Sequence, residues 1–238
     1  MHHVILERWA QGNSPLHLRD PRAKILALLA YLIVLATTPP GATYRIVTYA
    51  IVALAGVVMS RLPILSLLTR AGVVLPFSFT FAVISWFGGE HLRAIALVEK
   101  TYLSAVAVLI VSGTTPLPAL LRGFESLGVP RVLVSVIQFL YRYLFVISEQ
   151  AQHMRLAAVC RGGARKTSRR DRFQSAAGAL GVLFARSYAR ADGIHRAMLA
   201  RGYNGHLPVA DAGRFRIADG VFAALTILVL TALRTLPY

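Results

Sequence analysis

The sequence predicts an all-α integral membrane protein with about five transmembrane helices and additional cytoplasmic amphipathic helices. Of its 238 residues, 56% are hydrophobic and only 15% are charged, and the mean hydropathy is +0.59. Soluble domains of this size contain more charge. The formal net charge is +16, and the charged residues avoid the long apolar stretches. Apolar segments of spanning length that are kept apart from the charge indicate helices in a bilayer.

Five apolar stretches approach the roughly 20 residues that a spanning helix needs. The first is short, and we expect the side chain of Lys24 to extend it by reaching toward the lipid headgroups. A Pro-Pro-Gly sequence ends the first stretch, two glycines end the third, and Pro76 predicts a kink within the third. The predicted spans are about 23–38, 44–59, 65–87, 95–111 and 217–233.

The distribution of lysine and arginine predicts that the N-terminus is cytoplasmic. Cytoplasmic segments next to membrane spans are enriched in these residues. We therefore expect a multi-pass protein of the cytoplasmic (inner) membrane, whose fifth span places the C-terminus outside. The residues that decide the orientation are Arg8, Arg19, Arg22, Lys24, Arg61 and Arg70 on the inner side, with Arg45 and Arg93 on the outer side.

Composition divides the chain into an N-terminal segment with four spans (1–115), a basic region of cytoplasmic helices (116–215) and a final span (216–238). Residues 116–214 include 15 lysines and arginines but only five acidic residues. This charge is expected at the inner membrane surface or in the cytoplasm, opposite anionic lipid or an acidic protein partner. Nucleic acid is not expected as a partner, because the predicted topology already accounts for most of the charge.

Three helices are predicted in the basic region, over about 117–127, 131–161 and 172–201. Gly128 and Pro130 end the first helix. The second has an apolar stripe at heptad spacing, which predicts contact with another helix along its whole length. It is apolar on nearly every face up to Ser148, so we expect it to begin in or against the membrane. The stripe is Leu133, Ile137, Leu140, Leu144, Ile147, Ala151, Met154 and Ala158.

The third helix of the basic region has a small residue at every fourth position. Small residues on one ridge allow the backbones of two helices to approach closely where they cross. The ridge therefore predicts a crossing between this helix and the long helix before it. It consists of Ala177, Gly181, Ala185, Ala189 and Gly193, and continues to Ala197.

Several functional classes are not expected from the residue content. Ion-coupled transporters need ionisable groups inside the bundle, and here such groups are placed only near span ends. The same scarcity of histidines and carboxylates predicts no metal site in the membrane. The sequence has no G-x-x-x-x-G-K-[ST] motif, so hydrolysis of ATP by that route is not expected. The ionisable residues near the ends of the predicted spans are Lys24, Arg45, Arg70, Glu99, Lys100 and Arg234.

The positions of the histidines and the single cysteine also predict no metal site in this chain. His2, His3 and His17 are scattered over the polar N-terminal segment, and scattered histidines are more often exposed surface residues than metal ligands. Cys160 is the only cysteine, which excludes an intramolecular disulfide and a thiolate metal cluster.

The two long basic helices end in the same way, in Val159-Cys160-Arg161-Gly162 and in Leu199-Ala200-Arg201-Gly202. One interpretation is helix capping, in which glycine adopts the left-handed conformation and arginine complements the helix dipole. The other is docking, because an arginine beside a small residue can bind carboxylates of a partner bidentately. Both interpretations can hold together.

These paired ends resemble the T component of energy-coupling factor (ECF) transporters. Val129-Pro130-Arg131-Val132-Leu133 and the Tyr-Arg-Tyr-Leu-Phe-Val sequence at 141–146 resemble the cobalt branch of that family, the CbiQ-type subunit. The resemblance covers nearly the whole chain and is strongest over 121–203. It departs from the family pattern at Cys160, where the family motif has alanine.

The resemblance implies a non-catalytic coupling subunit that joins two cytosolic CbiO-like ATPases to a CbiM-like substrate-binding membrane subunit. It implies that Arg161 and Arg201 dock into acidic grooves of the ATPases, with Cys160, Gly162, Ala200 and Gly202 beside them. ATP and Mg²⁺ would then bind the ATPases and Co²⁺ the substrate-binding subunit, with no cofactor in this chain. Nickel or a vitamin as cargo, and a stand-alone membrane enzyme or permease, stay open as alternatives.

Overall fold

A computed structural model describes residues 9–10, 12–162, 168–205 and 216–235, and these parts of the chain contain helices and no strand. The helices α1 to α6 are Pro21–Ala36, Thr43–Ser60, Ile64–Ala71, Leu75–Phe87, His91–Thr114 and Leu117–Ser126. The helices α7 to α9 are Arg131–Cys160, Arg169–Ala200 and Ile217–Thr235. The prediction of an all-α membrane protein is confirmed.

The chain forms two compact units. The membrane unit contains α1 to α6 together with α9, and the long-helix unit contains α7 and α8. The membrane unit is therefore discontinuous in sequence, with the long-helix unit inserted between its two parts. The short helix α6 packs on α1 in the membrane unit, where a Cβ atom on Gly123 would lie 2.7 Å from Cδ1 of Ile25.

Helix bounds agree closely with the sequence prediction, and the predicted interruption of the third span is confirmed. A single 3₁₀ turn, Gly72–Val74, separates α3 from α4. Pro76 occupies the first turn of α4. Proline has no N–H to donate and its ring clashes with the carbonyl group four residues earlier, which here belongs to Gly72. The regular helix therefore breaks between residues 72 and 74.

Four stretches in the described parts of the chain are long and apolar enough to cross a membrane: Ile64–Phe87, His91–Thr114, Arg131–Cys160 and Ile217–Thr235. Tyr44–Ser60 is a shorter apolar helix. The third of these stretches is α7, which the sequence placed at the membrane for its first half only. Helix α1 has 16 residues, about 24 Å at 1.5 Å per residue, so its crossing stays a prediction.

The core of the membrane unit lies between α1, α2, α3, α5 and α9. Its most enclosed side chains are Leu35, Tyr49, Val57, Leu67 and Leu230. Large apolar side chains elsewhere in the membrane unit are exposed, among them Ile51 of α2 and Phe77 and Phe79 of α4. A surface of this kind is solvated by acyl chains in a bilayer, because lipid tails are as apolar as the side chains themselves.

The long-helix unit consists of two helices of 30 and 32 residues, each about 45 to 48 Å long. No residue of α8 is buried, and its half-buried side chains are those of Leu183, Ser187, Ile194 and Met198. On α7, the heptad stripe is half-buried only at Ile147 and Met154, whereas its first-half members are exposed. The prediction that this stripe contacts a helix along its whole length is therefore wrong for the first half of α7 within this chain.

Candidate functional site

Arg161 occupies the C-cap position of α7, with φ −83° and ψ 15°. Its amide group donates to the carbonyl oxygen of Ala157 across 3.1 Å, which closes the last helical turn. Gly162 follows at φ +82° and donates to Val159 O across 3.0 Å. A side chain other than glycine rarely adopts this left-handed conformation. The helix therefore stops immediately after the arginine.

Arg201 occupies the corresponding C-cap position of α8, with φ −93° and ψ 11°. Gly202 follows at φ +79° and donates to Leu199 O across 3.0 Å, while the amide of Tyr203 donates to Met198 O across 3.0 Å. These two hydrogen bonds constitute a complete Schellman motif. The capping interpretation of both sequence ends is thus confirmed, and the two arginines are held in nearly the same backbone geometry.

Both arginine ends are open to solvent. Cys160, Arg161 and Gly162 are exposed, and so are Ala200, Arg201 and Gly202. Neither guanidinium forms a hydrogen bond or ion pair with any residue that the structure describes. A guanidinium group presents five N–H donors in a rigid planar fork that matches a carboxylate. Each end therefore offers an unused bidentate donor at the tip of a long helix.

Arg161 also lines a cleft of about 740 Å³ between α7 and α8. Arg186 and Arg190 of α8 line the same cleft, together with Glu149 and His153 of α7. Glu149, whose Oε1 lies 3.9 Å from Nε2 of His153, is the one acidic residue among the described residues that line the cleft, against three arginines. The surroundings of Arg161 are consequently basic, which favours an acidic ligand at this end of α7.

The small-residue ridge of α8 does not meet α7 in the structure. Its members Ala177, Gly181, Ala185, Ala189 and Gly193 are all exposed. A Cβ atom added at Gly181 or Gly193 would have no other heavy atom within 4 Å. The ridge is thus exposed along the described part of α8, and its role in a helix crossing stays a prediction.

The prediction that Lys24 extends the first span toward the lipid headgroups is wrong. Its side chain does not reach toward the headgroups, because the residue is only 3% exposed. The ammonium group donates to the carbonyl oxygen of Thr114 across 3.1 Å and to Oγ1 of Thr115 across 2.9 Å. Thr114 is the last residue of α5, and the final carbonyl groups of a helix lack intrahelical partners. Lys24 thus joins the start of α1 to the end of α5.

Asp219 was missed by sequence reasoning. It lies in the first turn of α9 and is 3% exposed. Its carboxylate accepts hydrogen bonds from the amides of Asp20 (3.3 Å) and Arg216 (3.1 Å), and it lies 3.7 Å from Nη1 of Arg19. The bond from Arg216 is half of a capping box. The only signal in the sequence is one acidic residue near the start of an apolar stretch. The mean hydropathy of that stretch is high in spite of it.

His17 is half-buried, so its interpretation as an exposed surface residue is wrong. Its Nε2 lies 2.8 Å from the carbonyl oxygen of Trp9 and its Nδ1 lies 2.6 Å from Oγ of Ser14. The guanidinium of Arg70 lies 4.8 Å from the centre of the Trp9 ring. His17 therefore helps to fix the segment before α1. His2 and His3 lie outside the described residues, within which no group of three or more potential metal ligands occurs.

Comparison with known proteins identifies the family. The family described as "CbiQ: Cobalt transport protein" matches residues 12–209, which include both arginine ends and all helices from α1 to α8. The chain belongs to the CbiQ family. The match covers most of the chain, so CbiQ membership applies to the membrane unit as well as to the long helices.

Relatives with assigned names agree with CbiQ membership. The energy-coupling factor transporter transmembrane protein EcfT of Acidaminococcus fermentans is 30% identical, and the alignment covers 97% of this chain and 94% of the relative. The cobalt transport protein CbiQ of Rhodobacter capsulatus is 28% identical, with 85% and 83% covered. The EcfT protein of Listeria innocua is 26% identical, with 98% and 96% covered. The chain is thus a CbiQ-like T component of an ECF transporter and a multi-pass membrane protein.

Proposed function

We propose that this chain is the scaffold and coupling subunit of an ECF-type importer, and that it transmits the motion of two cytosolic CbiO-like ATPases to a CbiM-like subunit that binds the substrate. The observation that supports this most directly is the pair of arginine ends. Arg161 and Arg201 stand at equivalent cap positions, both are exposed, and neither has a partner among the described residues.

In this proposal each guanidinium docks into an acidic groove of one ATPase. Arginine binds carboxylate through two parallel N–H···O bonds, which sets the orientation as well as the affinity. The glycine after each arginine ends the helix, so no further helical turn covers the guanidinium. The small residues Cys160 and Ala200, one on each helix, leave room for the groove wall beside the arginine.

The length and stiffness of α7 and α8 support a role as levers. A helix of about 45 Å moves as a rigid body when one end is displaced. Helix α7 is apolar on nearly every face up to Ser148, whereas from Glu149 onward its other faces are polar. Closure of the ATPases on ATP would therefore displace a charged helix half and, through the same helix, an apolar half at the membrane.

We further propose that Co²⁺ is the cargo, that the chain itself is not an enzyme, and that it lies in the cytoplasmic membrane with its N-terminus inside. The family description and the Rhodobacter relative's name support cobalt, whereas the EcfT relatives' names specify no cargo. Uptake measured with Co²⁺ and with Ni²⁺ in the same cells decides between the two metals.

The docking role is tested by charge reversal in the assembled transporter. Arg161→Glu and Arg201→Glu are made singly and together, and the subunit is purified from cells that co-express the ATPases. Losing one hydrogen-bonded charge pair at an interface lowers affinity by about thirtyfold or more. We expect each single variant to retain less ATPase and the double variant to retain none.

Arg155→Glu is the matched control, because Arg155 is an exposed arginine of α7 that lies before the capped end. It changes the charge by the same amount and should leave ATPase binding unchanged. Normal ATPase co-purification together with normal cobalt uptake in the double variant would disprove docking through these arginines.

A further inference from the structure

The cleft between α7 and α8 is lined by apolar and basic residues together. Its volume of about 740 Å³ is comparable with that of binding pockets, which span about 300 to 1,000 Å³. Val146 and Met154 of α7 and Val182 of α8 contribute apolar side chains to the lining. The basic residues of the lining are three arginines, one from α7 and two from α8. A ligand of this cleft therefore has to match a positive charge and an apolar surface side by side.

The three arginines face the cleft without partners. Arg186 and Arg190 lie one turn apart on α8, so their side chains extend from the same face of the helix. Arg161 lines the cleft from α7. All three are exposed, and none has a hydrogen bond or ion pair with the described residues of the chain. Like charges on one surface repel each other, so an anion bound here would relieve that repulsion as well as form new hydrogen bonds.

Glu149 does not neutralise these arginines. Its carboxylate lies near the imidazole of His153, one turn further along α7, with 3.9 Å between Oε1 and Nε2. No ion pair joins it to an arginine within the part of the chain that the structure describes. Three guanidinium groups outnumber this single carboxylate, so the cleft is positively charged even when His153 is neutral.

The chemistry of the lining favours a protein segment as the ligand. A guanidinium binds a carboxylate or a phosphate through two parallel N–H···O bonds. A phospholipid with one phosphate offers a single anionic group to three arginines, whereas an acidic protein segment offers several carboxylates. Apolar side chains next to those carboxylates would pack on Met154 and Val182. The ligand that matches the whole cleft is therefore a segment with several acidic residues and apolar residues between them.

We propose that the cleft binds an acidic segment of the same ATPase that receives Arg161, and that Arg186 and Arg190 bind its carboxylates. This inference rests on the proposed function. Arg161 stands both at the C-cap of α7 and in the lining of the cleft, so a protein docked on that helix end adjoins the cleft. The ATPase would then contact both long helices at once, and its movement would act on the middle of α8 as well as on the end of α7.

The affinity of the ATPases for the subunit in lipid nanodiscs tests this contact. The cleft variant combines Arg186→Glu with Arg190→Glu. Charge reversal places like charges against each other, so we expect it to bind the ATPases at least about tenfold more weakly than the wild type. The affinity of the wild type should also fall more steeply with added salt, because salt screens charge pairs that the cleft variant lacks.

The matched control combines Arg169→Glu with Arg170→Glu. These are exposed arginines of the same helix that do not line the cleft, and their reversal changes the net charge by the same amount. The control should bind the ATPases like the wild type. Thermal unfolding of both variants shows whether α8 stays folded. Wild-type affinity in the cleft variant, or an equal loss of affinity in the control, would overturn the proposal.

Photocrosslinking in the assembled transporter identifies what occupies the cleft. Val182, which lines the cleft, is replaced by p-benzoylphenylalanine, and the control carries the same probe in place of Phe173, an exposed residue of α8 outside the cleft. We expect position 182 alone to crosslink to an ATPase peptide with two or more acidic residues. Crosslinks from position 182 only to lipid, to another membrane subunit or to a peptide without acidic residues would overturn the proposal.

Failure of the cleft contact can be distinguished from failure of the proposed function. If the variant with both Arg161→Glu and Arg201→Glu retains the ATPases normally, docking through the helix ends is wrong, and the cleft proposal is wrong with it. If that variant loses the ATPases while the cleft variant binds them normally, only the cleft contact is wrong. When both hold, the effects of Arg161→Glu and of the cleft variant should be non-additive, because the residues bind one partner.

Discussion

The ammonium group of Lys24 lies 3.1 Å from the carbonyl oxygen of Thr114, so the first turn of α1 is joined to the last residue of α5. The positive charge stands at the C-terminal end of a helix, where the helix dipole favours a cation. The two residues are 90 positions apart in the sequence. A lysine that hydropathy alone assigns to the membrane edge is therefore a structural link inside the bundle.

Replacing Lys24 by methionine should destabilise the membrane unit. The substitution preserves most of the side-chain volume but leaves Thr114 O and Thr115 Oγ1 without their donor. Leaving buried polar groups unsatisfied costs about 1 to 3 kcal/mol each. We expect a lower unfolding temperature for the purified subunit in detergent. Arg22→Met, on the exposed side of the same turn, should change stability by less than about 0.5 kcal/mol. Equal stability of both variants would contradict a structural role for Lys24.

Asp219→Ala should separate the start of α9 from the segment before α1. The amides of Asp20 and Arg216 lose a buried acceptor, and the expected cost is about 1 to 3 kcal/mol. Asp219→Asn retains one acceptor oxygen and should cost less than half as much. Thermal unfolding of the two variants, with hydrogen exchange at the amides of residues 20 and 216, measures the difference. If alanine and asparagine behave alike, the charge near Arg19 matters more than the hydrogen bonds.

The same glycine-to-alanine change should have opposite effects at Gly178, inside α8, and at Gly202, just after its C-cap. Gly202 has φ +79°, a conformation that costs an L-residue about 1 to 2 kcal/mol. Gly178 lies within the helix, and a Cβ atom there would meet nothing within 4 Å. Alanine at 178 should therefore stabilise the helix by up to about 1 kcal/mol. Hydrogen exchange over residues 198–203 should increase for Gly202→Ala, and that variant alone should bind the ATPases more weakly. Slower exchange in Gly202→Ala would contradict the capping geometry.

Gly181→Leu and Ala185→Leu should leave the isolated subunit as stable as the wild type. Both residues are exposed, and a Cβ atom at 181 has open space around it. We expect normal membrane insertion and a change in unfolding free energy within about 0.5 kcal/mol. A loss of more than about 1 kcal/mol would indicate that the ridge packs against α7 after all. Cobalt uptake by the same variants shows whether a partner uses the ridge.

The periodicity of apolar residues, together with the glycines and prolines that end or interrupt helices, was sufficient to place most helices. Gly128 ends α6 at φ +102°, and glycine also ends both long helices, because few other residues adopt the left-handed conformation. Pro76 interrupts its span for an equally local reason. Features that depend on neighbouring residues, such as caps and breaks, can thus be read directly from the chain.

Features that depend on distant residues could not be read in this way. The carboxylate of Asp219 accepts a hydrogen bond from the amide of Asp20, 199 positions away in the sequence. The ammonium group of Lys24 donates to Thr115, 91 positions away. The spacing of small residues predicted a packing face on α8, and in the structure that face is exposed. A periodic pattern records that a face is suited to packing, and only the tertiary structure records what it packs against. The roles of Arg161 and Arg201 in docking stay predictions until the complex is tested.

The discontinuous membrane unit has a consequence for biosynthesis. A chain emerges from the ribosome N-terminus first. Helices α1 to α6 are therefore synthesised before α9, and both long helices are synthesised in between. During that interval the carboxylate of Asp219 is missing, and the amide of Asp20 has no such acceptor. A nascent chain arrested before residue 216 would therefore have a membrane unit without α9. Because α7 and α8 precede α9 in the chain, any membrane unit that contains α9 belongs to a chain that already contains both long helices.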